Sequence, residues 1–290
     1  MDKSILFYKI IILLFILVLI YLINYNKNNF QVINKRQYNQ INNKINNKQI
    51  DVAILYFGLT RSTKKVYDSH IQNIFDILDK NNLSYKKFMH TWKINNNKQR
   101  VWQNIINKEI DYEEYKLLNP DFYKIDSQDE FLSNLNMDNY FYKDVWNTIG
   151  HSENGEWLPE LVQNHLCALE SQKRCLEMVE DFMKKNNINI KYFIFIRPDV
   201  MIYDNLPVKI ILKNNNKIYI PNDNNYEGLN DRFAITNYKN ACLYGKRINE
   251  IAEFRKNNGR IVSEKYVKFI INKYKMNLDF IKFDFDIVRP

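Results

Sequence analysis

The sequence predicts an α/β fold, a doubly wound mixed sheet with flanking helices, preceded by one transmembrane helix. Two apolar runs, Asp51–Phe57 and Tyr192–Ile196, have the composition of strands buried on both faces. The first run begins a strand–helix–strand unit, which favours a right-handed crossover and a doubly wound sheet. A third apolar run, from Ser4 to Ile23, is long enough to cross a bilayer as a helix.

The composition is that of a folded chain. Hydrophobic residues make up 46% of the 290 residues and aromatic residues 14%, which is enough to form a sizeable core. Lys and Arg number 42 against 33 Asp and Glu, but these basic residues are spread along the chain and form no stripe with aromatic residues. We therefore expect no nucleic-acid partner; an anionic small substrate or an acidic membrane face is compatible with the net charge of +9.

The N-terminal segment predicts a membrane anchor. Lys9 is the only charged residue between Ser4 and Ile23, and its long side chain can reach the near interface. A cleaved signal peptide is the alternative, but no small-residue cleavage site follows Ile23. We expect residues 1–24 to form a cytosolic stub and a single-pass anchor of type II, with the C-terminal domain in a lumen. The charges that flank the span do not by themselves fix this orientation.

The remainder of the chain divides into a stalk and one domain. Residues 25–50 are rich in Asn and Lys and show no periodicity, which indicates a stalk, whereas residues 51–290 form the predicted domain. After the first strand, apolar residues recur at helical spacing, and a second strand is predicted at Tyr85–Trp92. The stretch Asn95–Asn154 predicts loops and small helices. The later elements comprise a long helix from about Leu161 to Asn186, the strand Tyr192–Ile196, short strands at Ile218–Ile220, Phe233–Thr236 and Asn277–Asp284, and helices near Ala241–Phe254 and Ser263–Tyr274.

The turn after the first strand is the first candidate site. It contains Gly58, Thr60, Arg61 and Ser62 and leads directly into a helix. Backbone N–H groups at a helix N-terminus favour an anion, and an arginine can bind a phosphate through two parallel hydrogen bonds. Helix capping by Ser62 or by the next residue is an equally good interpretation of this turn.

The second candidate is the end of the strand Tyr192–Ile196, which is followed by Arg197, Pro198 and Asp199. Ligands of α/β sheets bind outside the carboxyl ends of the strands, and a carboxylate there can bind a divalent cation or a ribose hydroxyl. The alternative is a structural ion pair within the loop.

The third candidate is the polar loop that surrounds Gly228 and ends at Arg232. Asp231 is its most promising functional carboxylate, because it borders an apolar strand, although an Asx-type turn explains the loop as well. His90, at the end of the second strand, could line a cleft or pack in the core. No zinc-ligand spacing, nucleophile elbow or nucleotide-binding glycine motif is present in the sequence.

These segments resemble glycosyltransferase-like proteins with the GT-A fold, a poorly characterised group of type II membrane proteins. The resemblance covers about residues 51–290. It is carried by Gly58–Ser62 after the first strand, Arg197–Asp199 after a later strand, Leu229–Phe233 before another, and Ile287–Pro290 at the end.

The resemblance implies a membrane-anchored transferase that moves a sugar from a nucleotide-sugar donor to a hydroxyl of a glycan, protein or lipid acceptor. In GT-A enzymes the motif Asp-x-Asp meets the ribose and a divalent cation that bridges the diphosphate. Asp199 matches the second Asp and implies a metal ligand for Mn²⁺ or Mg²⁺, whereas Arg197 stands at the first position and can itself offset diphosphate charge, so the need for a cation stays open. Gly58, Thr60, Arg61, Ser62 and Arg197 would bind the nucleotide sugar, and Asp231 would face the acceptor as a catalytic residue together with Asp199.

Two other functions stay open at this point. A nucleotidyltransferase would share the donor site but transfer a nucleotide, and a membrane-tethered module would bind a nucleotide sugar or a glycan without catalysis.

Overall fold

The computed structural model describes residues 48–94, 98–101, 104–107, 110–140, 159–213, 215–226, 228–258 and 261–289. Gln49–Pro290 form one compact unit. The predicted anchor and nearly all of the predicted stalk lie outside the described residues. Among the residues that are described, no helix has both the length and the apolar composition needed to cross a bilayer.

The strands and helices follow one another in the order expected of an α/β protein. The strands are β1 (Lys48–Phe57), β2 (Tyr85–Lys93), β3 (Lys98–Val101), β4 (Asn104–Asn107), β5 (Phe122–Ser127), β6 (Ile188–Ile196), β7 (Val200–Ile202), β8 (Lys217–Pro221), β9 (Phe233–Thr236), β10 (Asn277–Ile281) and β11 (Phe285–Ile287). The α-helices are α1 (Thr63–His70), α2 (Asp76–Lys80), α3 (Gln128–Ser133), α4 (Pro159–Asn186), α5 (Val208–Leu212), α6 (Tyr238–Gly245), α7 (Ile251–Asn258) and α8 (Ser263–Lys273).

The main sheet of the described residues has seven strands in the order β10-β8-β9-β6-β1-β2-β5. Strand β1 is parallel to β2, which is parallel to β5, and β8 is parallel to β10. Strand β9 runs antiparallel to both of its neighbours, so the sheet is mixed, as predicted. A smaller antiparallel sheet pairs β7 with β11, and β3 pairs with β4.

Both faces of the main sheet are covered, and strand β1 shows why its sequence is a continuous apolar run. Ala53, Leu55 and Phe57 face one core layer, which helices α4, α6, α7 and α8 help to build. The alternate residues of the strand face a second layer, built with α1, α2, α5 and the β7–β11 sheet. Because successive side chains of a strand point to opposite faces, a strand in this position has no polar face to expose.

Two of the expectations for the chain were wrong. The segment Asn277–Asp284 is not one strand: β10 ends at Ile281, and the chain then enters β11 in the smaller sheet. The stretch Asn95–Asn154 contains more than loops and small helices, because Phe122–Ser127 forms the edge strand of the main sheet. The first four residues of that strand are exposed, so it lacks the apolar signal of a buried strand.

The helical segment after β1 contains an irregular turn. Helices α1 and α2 are joined by the π-helical residues Ile71–Phe75 without a break in the chain. Asn73 in this turn contacts the segment around β7: its Nδ2 donates to the carbonyl of Ile202 at 2.8 Å, and its own carbonyl accepts from the N–H of Leu206 at 2.8 Å. The wider turn therefore links the helix to the segment around β7.

Asp51 links three strands at the end of the sheet opposite the candidate site. Its carboxylate accepts from Nζ of Lys191 on β6 at 2.6 Å and from the N–H and hydroxyl of Ser84, just before β2, at 3.0 and 2.8 Å. Burial alone would raise the pKa of Asp51, but the hydrogen bonds from Lys191 and Ser84 outweigh it, and the pKa is lowered. The ionised carboxylate therefore stabilises the folded state.

Asp51→Asn is expected to lower the free energy of unfolding by about 1–2 kcal/mol at pH 7, because it weakens hydrogen bonds to a charged group. A lowered folded-state pKa gives stability that is present above the unfolded pKa of about 3.9 and is lost as the pH falls through the folded value. Urea unfolding at several pH values should show the difference from wild type shrinking below about pH 4.

Asp279→Asn is the matched control for this variant. Asp279 pairs with Lys217 at a similar N–O distance of 2.8 Å, but its side chain is 46% exposed. Water screens this pair, so we expect a smaller loss of stability. An equal loss in the two variants would contradict the role given to Asp51.

Candidate functional site

Segments that are distant in the sequence meet where β1 and β6 end. The turn that follows β1 carries Arg61, and the loop between β6 and β7 carries Arg197 and Asp199. Nη2 of Arg61 lies 3.3 Å from Oδ2 of Asp199. The two turns that the sequence singled out separately therefore form one site, at the edge of the sheet where α/β proteins bind ligands.

Asp199 lies at the centre of this site and contacts three arginines. Arg197 binds it with two parallel hydrogen bonds, from Nε to Oδ1 at 2.8 Å and from Nη2 to Oδ2 at 2.7 Å. Arg61 is the second arginine, and Arg289 is the third, with its Nη1 3.6 Å from Oδ2. The side chain of Asp199 is only 1% exposed. The ion pair within the loop, one of the two interpretations of this motif, is therefore present, and it is part of a larger cluster.

The electrostatics of the cluster are set by burial and by an excess of positive charge. Burial alone would raise the pKa of Asp199, but the charges of Arg197, Arg61 and Arg289 hold the pKa of this carboxyl well below its usual range. Burial, with the like charges of Arg197 and Arg61, lowers the pKa of Arg289 to about 9. Asp199 is thus ionised at neutral pH, and one carboxylate faces three guanidinium groups.

Arg289 is brought to the site by the pairing of β11 with β7. Ile287 lies opposite Val200 in this pair, and the next N–H, of Val288, donates to the carbonyl of Asp199 at 2.8 Å. The hydroxyl of Ser62 donates to the carbonyl of Val288 at 2.6 Å. The backbone on the N-terminal side of Arg289 is therefore held by both turns of the site.

The turn that contains Gly58 and Ser62 is fixed by buried hydrogen bonds. Gly58 has a φ of +96°, which glycine adopts without strain, and its N–H donates to the hydroxyl of Ser171 at 2.8 Å. Thr60 is buried. Ser62 occupies the N-cap position of α1, but its side chain makes no capping hydrogen bond and bonds to Val288 instead. Helix capping by its side chain is therefore not the role of Ser62 in this turn.

Ser171, His90 and Asp126 have the connectivity of a catalytic triad, but Ser171 and His90 lie in the core. The hydroxyl of Ser171 is 2.8 Å from Nδ1 of His90, whose Nε2 is 3.1 Å from Oδ2 of Asp126. Because a carboxylate only accepts, Nε2 of His90 carries a hydrogen. The single hydroxyl hydrogen of Ser171 has two acceptors at 2.8 Å, Nδ1 and the carbonyl oxygen of His90. Ser171 and His90 are both fully buried, so no substrate reaches the hydroxyl. The network instead holds Gly58 in place, and burial lowers the pKa of His90 to about 4.

Asp231 lies beside the arginine cluster because of the register between β6 and β9. Ile196 pairs with Phe233 in this antiparallel pair, so the residues that follow Ile196 lie next to those that precede Phe233. Burial alone would lower the pKa of Arg197, but the negative charge of Asp199 raises it. The charge of Asp231 raises it further, which places Asp231 within electrostatic reach of Arg197. The Asx-type turn predicted in this loop is made by Asn230, whose Oδ1 accepts from the N–H of Arg232 at 2.9 Å.

A second acid, Glu264 on α8, faces the same loop. Nη2 of Arg232 lies 3.4 Å from Oε1 of Glu264, and its Nε lies 3.9 Å from Oδ1 of Asp231, so one guanidinium bridges the two carboxylates. Burial, followed by the charge of Asp231, raises the pKa of Glu264 to about 7. Burial would raise the pKa of Asp231 as well, but Arg232, His165 and Arg197 lower it. Glu264 therefore keeps its proton up to near neutral pH, whereas Asp231 is ionised.

A divalent cation at Asp199 does not fit the surrounding side chains. Both carboxylate oxygens already accept from guanidinium groups, and three positive charges lie within 4.0 Å of them. Among the described residues there is no group of three or more His, Cys, Asp or Glu that could hold a metal ion. Mg²⁺ is commonly held by one or two carboxylates together with substrate phosphates, and the carboxylate of Asp199 is instead bound by arginines.

Sequence reasoning identified the two turns and Asp231 but missed Arg289 as a site residue and did not consider Glu264. Arg289 belongs to the segment Ile287–Pro290, which carried part of the resemblance, and only the β7–β11 pairing brings it to Asp199. Glu264 had no local signal, because it lies in the first turn of an ordinary amphipathic helix.

Fold and site together define an α/β protein with a buried, positively charged site beside a pair of carboxylates. A family model described as a domain of unknown function (DUF7796) matches residues 154–289. No curated protein matches the chain.

Two solved structures are similar to the chain over most of its length. One is the crystal structure of a glycosyltransferase involved in the glycosylation of the major capsid of PBCV-1, with a TM-score of 0.35 and 8% identity over 80% of this chain and 81% of that one. The other is mouse xyloside xylosyltransferase 1 in its apo form, with a TM-score of 0.37 and 10% identity over 80% of this chain and 85% of that one. These values are low, and a likeness of this degree says nothing of the chemistry at the site.

Glu264→Gln is expected to gain stability relative to wild type as the pH rises from about 5 to about 8. The folded-state pKa of Glu264 is about 7, above the unfolded value of about 4.3. The wild type therefore loses stability as this carboxyl ionises, whereas glutamine stays neutral. Melting temperatures across this pH range measure the effect.

Glu177→Gln, on the exposed face of α4, is the control for this measurement. Its melting temperature should stay close to that of the wild type, because the side chain is exposed. If Glu264→Gln behaved in the same way, the raised pKa of Glu264 would be ruled out.

Proposed function

We propose that this protein is a glycosyltransferase that moves a sugar from a nucleotide-sugar donor to an acceptor hydroxyl. The observation that carries the proposal is the cluster of three arginines around Asp199, next to Asp231 and Glu264, at the ends of β1 and β6. A donor needs positive charge at its diphosphate, and an acceptor needs a carboxylate near its hydroxyl. Both requirements are met by neighbouring side chains.

On the donor side, the diphosphate would lie against the guanidinium groups. Arg61 and Arg197 would bind phosphate oxygens, and the turn from Gly58 to Ser62 would border the nucleotide. Asp199, with both oxygens bound by arginines, would fix the guanidinium groups in position, since pre-organised charges stabilise a leaving group without reorganisation.

On the acceptor side, Asp231 would orient the hydroxyl and, with Glu264, receive its proton. The acceptor oxygen forms a bond to the anomeric carbon of the sugar, the bond from that carbon to the phosphate oxygen breaks, and the nucleoside diphosphate leaves with the electron pair. A carboxyl group with a pKa of about 7, as for Glu264, is matched to proton transfer at neutral pH.

The membrane attachment predicted from the sequence is part of this proposal. The apolar run Ser4–Ile23 would hold the domain at a membrane as a single-pass type II anchor, with the domain in a lumen. Carbonate extraction of cell membranes should leave the full-length protein in the pellet. A variant with Leu14→Arg and Leu17→Arg should appear in the supernatant, because charges at the middle of a span are costly; equal distribution of the two proteins would contradict the anchor.

Asp231→Asn is expected to reduce sugar transfer by about a hundredfold, the usual effect of removing a group that transfers a proton. Asp199→Asn is expected to reduce it by a similar factor of about a hundred, because the arginines that stabilise the leaving group lose the carboxylate that positions them. The full-length protein is incubated with individual nucleotide sugars and candidate acceptors, and products are identified by mass spectrometry. Asp68→Asn, an exposed aspartate on α1, is the matched control and should be fully active.

Three outcomes would contradict the proposal. Wild-type rates in both variants would remove Asp199 and Asp231 from the site. Products that carry a nucleotide instead of a sugar would favour a nucleotidyltransferase. Binding of a nucleotide sugar without turnover, for every acceptor tested, would favour a binding module.

A further inference from the structure

We propose that Arg61, Arg197 and Arg289 together bind the diphosphate and supply the positive charge that it needs, so that no divalent cation is required. This inference rests on the proposed function for the identity of the ligand. It adds Arg289 to the site and gives Asp199 a positioning role instead of a metal-binding one.

The charge of the cluster matches this ligand. The three guanidinium groups lie 2.7, 3.3 and 3.6 Å from Oδ2 of the single carboxylate of Asp199, so these four side chains carry a formal net charge of +2. A diphosphate ester in a nucleotide sugar is a dianion. Binding it would neutralise the cluster, whereas adding a divalent cation first would increase the repulsion among like charges.

Both oxygens of the Asp199 carboxylate already accept hydrogen bonds from arginine. Arg197 donates to both of its oxygens in the fork geometry that is typical of strong arginine–carboxylate pairs. A cation would have to approach a carboxylate that is 1% exposed and surrounded by three guanidinium groups. An arginine fork is equally suited to the oxygens of a phosphate, so the same side chains can bind the ligand directly.

Arg289 has capacity to bind an anion. Its side chain is 37% exposed, its buried Nη1 makes no hydrogen bond among the described residues, and its contact with Asp199 is a longer ion pair. The backbone on both sides of its α-carbon is held: the N–H of Val288 donates to the carbonyl of Asp199, and Nζ of Lys65 donates to the carbonyl of Arg289 at 3.1 Å. The guanidinium group is therefore positioned by the backbone while part of it stays open to solvent.

The lowered pKa of Arg289 agrees with this geometry. Burial lowers it first, and the like charges of Arg197 and Arg61 lower it further, to about 9. A bound anion would raise the pKa of Arg289 again, because a nearby opposite charge favours the charged form of an arginine. Binding of an anion is therefore favourable at this site.

Calorimetry with the full-length protein in detergent tests the inference, with inorganic pyrophosphate as the probe. Pyrophosphate shares only the diphosphate with a nucleotide sugar, so the result does not depend on the base or the sugar. We expect binding in EDTA that excess Mg²⁺ does not strengthen. Arg289→Gln should weaken binding in EDTA by about tenfold to a hundredfold, the loss of one hydrogen-bonded charge.

Two variants complete the design. Arg289→Lys keeps the charge without the fork and should recover part of the affinity. Lys185→Gln removes a positive charge from the exposed end of α4, which is separated from Arg197 by the whole of β6, and should bind as the wild type does. Melting temperatures of all variants show whether each is folded.

The outcomes separate this inference from the proposed function. Pyrophosphate binding only with Mg²⁺, or wild-type affinity of Arg289→Gln in EDTA, would overturn the inference and leave a metal-dependent transferase open. Pyrophosphate binding in EDTA without sugar transfer from any nucleotide sugar would support the anion site and contradict the transferase.

Discussion

The buried carboxylate of Asp199 is the group on which the whole site depends. An ionised carboxylate with 1% exposure would be too costly to bury alone, and here it is compensated by more positive charge than it carries. Arg197 comes from the same loop, but Arg61 and Arg289 come from segments far away along the chain. One negative charge thus holds three segments together, and the excess of positive charge becomes available to a ligand.

Backbone pairing decides which residues reach that carboxylate. The antiparallel register of β6 and β9 sets Asp231 and Arg232 beside Arg197. The register of β7 and β11 sets Arg289 beside Asp199. The hydrogen bond from Leu229 to the carbonyl of Glu264, at 3.0 Å, brings helix α8 to the same loop. A shift of one residue in either strand pair would turn these side chains to the opposite face of the sheet and remove them from the site.

The parts of the structure that the sequence predicted are those with a strong local signal. Strands β1 and β6 are apolar because both faces are buried, and the position of Arg61 and Asp199 after such strands was enough to suggest a shared site. Strand β5 was missed because an edge strand with exposed residues has no such pattern. Arg289 and Glu264 were not assigned to the site because their positions depend on contacts made across the fold, which a single sequence does not reveal.

The irregular turn Ile71–Phe75 changes the phase of the helix that follows β1. A π-turn is equivalent to one extra residue in an α-helix, and each residue of a regular helix advances the side chains by about 100°. Val66 lies before this turn and Leu78 after it, and both are buried. Loss of a single codon within the turn would give a regular helix whose two halves still face the same way, and the cost would fall on the contacts of Asn73 with Ile202 and Leu206. A deletion within this turn should therefore be better tolerated in related sequences than a deletion elsewhere in the helix.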